Sequence, residues 1–172
     1  MSMWVSVFCQ NQIGSLKPSD LIAAIRDRVS AFSDLAAQED PNEALARLRV
    51  EELASTDDFQ LVHLHYLDAD LPVVLFRFSN REEVASEVQG CLEQISKDRQ
   101  SPKAPVLPEH LAQVTEIFHF CCKQEHADGM GTPLVYAASS WLADRGKGLI
   151  RVEGRGWMQL AQGGKLAGFE SQ

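Results

Sequence analysis

FQLVHLHYL (residues 59–67) and VVLFRF (residues 73–78) decide the fold. Each is a short apolar run with β-branched and aromatic residues, the pattern of a β-strand. Only Asp68 to Pro72 separate them, so the two strands form a hairpin and lie antiparallel. In the first strand Val62, Leu64 and Tyr66 share one face, and His63 and His65 share the other. In the second, Val74, Phe76 and Phe78 are expected to face the core.

Towards the N-terminus, residues 3–9 (MWVSVFC) alternate with Val5 and Val7 on one side and Trp4 and Phe8 on the other. Both sides are apolar, which predicts a central strand. Pro18, Ser19 and Asp20 then open a helix running to about residue 37, with Leu21, Ile22, Ile25, Val29 and Phe32 at helical spacing. Residues 44–53 (ALARLRVEEL) fit either element, and the reading adopted is a strand.

Towards the C-terminus, Asn80 with an acid three residues later announces a helix whose stripe is Val84, Val88, Cys91, Leu92 and Ile95. Residues 97–108 are rich in proline and charge and read as a linker. A short helix over 109–114 and a strand over 116–123 (EIFHFCCK) follow. Thr132 is expected to cap a helix with Pro133 at its first position, Leu134, Ala138, Trp141 and Leu142 inward, and Gly146 just past its end. Residues 148–153 and 156–160 read as a hairpin around Gly154 and Arg155, and the last dozen residues as frayed.

These elements predict an α+β fold: a mixed, mostly antiparallel sheet with helices on one face. The chain is expected to be a single domain over 1–172, with two βαββ-like halves, 1–96 and 109–160. Val5, Phe8, Cys9 and Gln12 match Ile117, Phe120, Cys121 and Gln124 at one constant offset, consistent with such halves.

The 172 residues suffice for one ordinary core without a staple, and 45% are hydrophobic. The formal charge is -8, and the basic residues are scattered, which argues against nucleic acid and suits a basic protein partner. Four cysteines without paired spacing, no signal-like start and no run of membrane length predict a cytoplasmic protein with no membrane contact.

His119, Cys121, Cys122, His126 and Asp128 carry metal-ligating groups, yet adjacent strand thiols point apart, so no metal site and no cofactor is expected. Cys121 beside a histidine has the residue types of a thiol nucleophile, but its aromatic neighbours predict burial. The loop from Asp128 to Pro133 lacks the spacing of a phosphate loop. No GxSxG, HExxH or DxDxDG pattern occurs. His63, His65 and His119 remain as candidates for lining a ligand pocket.

The stretch PLVYAASSWLADRGKGLIRVEGRGW (residues 133–157) resembles a pattern in small bacterial α+β domains, including immunity proteins of polymorphic toxin systems. That resemblance implies a stoichiometric inhibitor without chemistry of its own. The expected function is therefore a non-enzymatic binding protein that neutralises a toxin by direct contact. Glu39, Asp40, Asp57, Asp58, Asp68 and Asp70 are its candidate contacts. The alternative is a small homo-oligomeric domain binding a metabolite between sheet and helices.

Overall fold

Among the described residues, the hairpin read from residues 59–78 supplies the second and third strands, in spatial order, of an eight-stranded sheet. The computed structural model describes residues 2–36, 39–66, 71–97 and 106–168. Along the chain come β1 (Ser2–Cys9), α1 (Pro18–Arg28) with a 3-10 continuation (Val29–Leu35), α2 (Pro41–Arg47) and β2 (Arg49–Ser55). Next are β3 (Phe59–His65), β4 (Val73–Phe78), α3 (Arg81–Lys97), α4 (Val106–Leu111) and β5 (Glu116–Lys123). The chain closes with α5 (Gln124–Ala127), α6 (Gly131–Gly146), β6 (Gly148–Val152), β7 (Gly156–Leu160) and β8 (Leu166–Gly168). The strand order is β2-β3-β4-β5-β1-β6-β7-β8, and every neighbouring pair is antiparallel.

The α+β class stands, with a wholly antiparallel sheet. β1 is central, between β5 and β6, as its two apolar faces require. On the front face Val5, Val7, Leu64, Leu75, Phe118, Phe120 and Ile150 meet α1 and α6 in the larger core. α6 is buried nearly all round because α1 and the 3-10 segment cover its outer side. Gly146 lets it come down onto β1: a Cβ there would stand 2.5 Å from the sulfur of Cys9.

The expectation of helices on one face is corrected. α3 and α4 lie on the back face, where Val84, Val88, Cys91 and Leu111 pack on Phe8 and Ile117. Apolar side chains on both faces of the central strands demand cover on both sides. The core face of β4 is corrected as well. Val73 and Leu75 are buried in front, while Val74, Phe76 and Phe78 stand half-buried behind. VVLFRF carries apolar residues at both parities with Arg77 on the front one, so alternation favours the wrong face; pairing of Leu75 with Phe120 and the ion pair of Arg77 with Glu116 set the right one.

Residues 44–53 divide, helix through Arg47 and strand from Arg49, with Leu48 between. The linker is shorter at its C-terminal side, since α4 begins at Val106; residues 98–105 lie outside the described set. Thr132 is inside α6, its hydroxyl donating to Ala127 O, and Gly146 is the last helical residue before left-handed Lys147. Within the last dozen residues, expected to be frayed, Leu166–Gly168 form β8, paired with β7. The matched positions of the two halves fall on opposite faces: Val5 is in the front core and Ile117 in the back one, Phe8 behind and Phe120 in front.

Candidate functional site

A row of three polar side chains crosses the middle of the back face. Register places His119 of β5, Ser6 of β1 and Arg151 of β6 side by side. Each lies on the parity that the front core rejects, and each is flanked by apolar neighbours such as Phe8, Ile117 and Leu149. The Ser6 hydroxyl is 2.6 Å from Nδ1 of His119. Nε2 of the same ring is 3.6 Å from a carboxylate oxygen of Glu87 on α3. The carboxylate favours the proton on Nε2, which leaves Nδ1 to accept from Ser6. Burial pushes the His119 pKa down, with Arg151 adding to the effect and Glu87 opposing it, so the ring is neutral at pH 7.

Arg151 is tied to the helix. Its guanidinium donates to the sulfur of Cys91 at 3.5 Å and to Oε1 of Gln94, and it lies over the Trp157 ring. Burial raises the Cys91 thiol and Arg151 partly offsets this.

Between this row, the flank of α3 and the β6–β7 turn lies a cleft of about 520 Å³, within the size range of small-ligand sites. Ser6, His119 and Arg151 form its floor, Glu87 stands on the α3 side, and Trp4 and Glu153 stand at the other wall. Trp4 is 40% exposed, and its ring is nearly perpendicular to that of His119, with 6.4 Å between centroids.

Of the residues nominated from sequence, His119 alone lines this cleft. His63 and His65 are on the same face but two strands away, roughly 10 Å across the sheet. Their rings meet edge-on with centroids 6.0 Å apart, and Glu51 lies 3.7 Å from Nε2 of His65. Burial lowers the His63 pKa, and His65 adds to it. Cys121 faces back and Cys122 faces front, as alternation requires, and burial pushes the Cys122 thiol up to about 12. Among the described residues no three His, Cys, Asp or Glu side chains gather closely enough for a metal ion.

The nominated acids do not form one patch. Glu39 accepts from Met130 N at 2.8 Å at the start of α6, and Asp40 caps α2 by accepting from Asn42 N. Asp58 accepts from Thr56 and Asn80 side chains in the β2–β3 turn, where the Asp57 carbonyl accepts from Arg77. The two groups sit at opposite ends of β3, about 20 Å apart by strand length. Asp68 and Asp70 lie outside the described residues.

Ser6, Glu87, Arg151 and Trp4 are absent from the nominated set. Glu87 carried a readable signal: it shares a helix face with Val84 and Cys91, so a carboxylate there must meet the sheet. Ser6 and Arg151 carried none, because their alignment depends on pairing between distant strands.

Fold and site together define an α+β domain with a ligand-sized cleft between its antiparallel sheet and one helix. No family model matches the chain, and no curated protein or solved structure matches it. Among the described residues no helix is long and apolar enough to cross a membrane.

Proposed function

We propose that this chain is a binding protein whose ligand is a small molecule seated in the cleft between the back face and α3. The observation that carries this is the floor: a hydrogen-bonded Ser6–His119 pair beside Arg151, held on central strands and opening into a cleft of about 520 Å³. Rigid central strands are the most precise platform a fold offers for polar recognition.

Ser6, His119 and Glu87 also have the residue types of a nucleophilic triad. Ser6 sits in mid-strand with ladders on both sides, where backbone N–H groups are committed to neighbouring carbonyls. Acyl transfer needs uncommitted donors beside the nucleophile to hold the oxyanion. Binding without chemistry is therefore the favoured role. A toxin or other basic protein as the main partner keeps the support of net charge, but of its nominated acids Glu39, Asp40 and Asp58 serve as caps and turn acceptors at separate places.

The test is a ligand screen by thermal shift on the full chain, repeated on Ser6→Ala and His119→Gln. Hits should raise the melting temperature of the parent by several degrees and lose most of that shift in both variants. Hits indifferent to both substitutions would remove the cleft from the account. Rapid stoichiometric acylation of Ser6 by an activated ester would replace binding with catalysis.

A further inference from the structure

We infer that the cleft is made for an organic cation, an ammonium or guanidinium group, received by Trp4, Glu87 and Glu153; this rests on the ligand-binding role proposed above. The inference comes from the donors and acceptors that the floor and walls leave uncommitted. Arg151, the one formal cation among the named lining residues, has its guanidinium donating to Cys91 and Gln94 and lying over Trp157. The Ser6 proton is directed at Nδ1 of His119, and the remaining ring proton faces Glu87. The hydroxyl and imidazole donors of the floor are thus directed at protein partners, and the guanidinium commits a donor of each terminal nitrogen to Cys91 and Gln94.

The acceptors are engaged only in part: Glu87 faces His119 Nε2 through one carboxylate oxygen, at 3.6 Å, which leaves its other oxygen. The Glu87 side chain is 43% exposed. Glu153 is exposed, and its carboxylate makes no hydrogen bond or ion pair among the described residues. Backbone pairing fixes Glu153 next to Trp4, since Glu153 N donates to Trp4 O at 3.0 Å. An aromatic ring with one carboxylate beside it and a second lining the same cleft supplies both elements by which an organic cation is held: attraction to the π face, and opposite charge. An anion entering the same space would meet Glu87 and Glu153, two negative charges against the single positive charge of Arg151. The protein's charge of -8 draws cations from a distance in the same sense.

The cation can come from a free amine or from a lysine or arginine side chain of another protein. The experiment uses the full chain, calorimetric titration and the indole N–H signal of Trp4, assigned with Trp4→Phe. The probes are benzylammonium and benzyltrimethylammonium, with phenylacetate and benzyl alcohol as anionic and neutral counterparts of similar size. Both cations should bind and move the Trp4 signal, at least tenfold more tightly than phenylacetate. Glu153→Gln, which leaves the Ser6–His119–Glu87 contacts alone, should weaken cation binding at least threefold, and Glu87→Gln with Glu153→Gln at least tenfold.

Phenylacetate binding as tightly as the cations, or cation binding untouched by both substitutions, would overturn the cation assignment. In that case a moving Trp4 signal would still keep the cleft as a ligand site. No movement of Trp4 with any probe, together with screen hits indifferent to Ser6 and His119, would remove both. Replacing the free amine by a capped lysine- or arginine-bearing tripeptide separates the sources: tighter binding of the peptide points to a protein side chain, and equal or weaker binding to a small amine.

Discussion

The two faces of one sheet have been finished differently. In front, α1 and α6 close over the larger core, and one end of it carries a buried polar cluster. There Glu116 accepts from the backbone of Ile13 and Gly14 and lies 3.6 Å from Arg77, both side chains almost fully buried. Gln60 beside them clamps the backbone of Leu16 through both its amide atoms. Behind, α3 and α4 cover part of the sheet and leave His119, Ser6 and Arg151 at the edge of their cover. The front polar groups hold a loop in place, whereas the back ones open into space. The comparison teaches that incomplete helix cover, more than residue type, marks the working face of this sheet.

The largest test of that contrast is Arg77→Met. It leaves the buried Glu116 carboxylate without its cation, and breaking a buried pair in this way costs about 3–5 kcal/mol. Urea unfolding measures it. A loss no greater than that of Ser6→Ala would erase the distinction between the faces.

Gly146→Ala comes next. The new methyl group meets Cys9 at the α6–β1 contact, and overpacking of this kind costs about 1–3 kcal/mol. Combining it with Cys9→Ala should recover part of the loss, and strict additivity in the double-mutant cycle would show that the two do not touch.

On the back face, Ser6→Ala should cost only about 0.5–1.5 kcal/mol, the worth of one hydrogen bond beside an open cleft. A loss of about 3 kcal/mol would mean that the pair is structural, as in front.

The smallest effect is in pH. Burial holds His63, His110 and His119 below their ordinary pKa, so the unfolded chain binds these protons more tightly. Their contribution to stability is full above the unfolded value of about 6.5 and is lost as pH falls from there through the folded values. Glu116 in front acts in the opposite sense, because burial raises its pKa and its protonation favours the folded state on acidification. Urea midpoints should therefore fall from about pH 7 to pH 5.5, and His119→Gln should flatten the slope. An unchanged slope would show that His119 is not held neutral by the fold.

Much of the fold was legible in the sequence because it is written locally. The alternation in FQLVHLHYL put Val62 and Leu64 opposite His63 and His65, and the Asn80 side chain caps α3 by accepting from Glu82 N and Glu83 N. Less was legible where local signals are symmetric. VVLFRF carries apolar residues at both parities, and ALARLRVEEL divides into a helix and a strand at a leucine that suits either. Of the site, His119 alone is legible in the sequence. Ser6 lies 113 residues from it in the chain and is ordinary in its own segment.

The sequence by itself determined strands, helices and hairpins, since a period of two, a period of 3.6 and a cap each act over a few residues. Only the tertiary structure decided which parity of β4 turned inward, that helices covered both faces, and that α3 stopped short of covering the row on β5, β1 and β6. Those outcomes depend on register between strands remote in the chain, where one step moves every side chain to the other face.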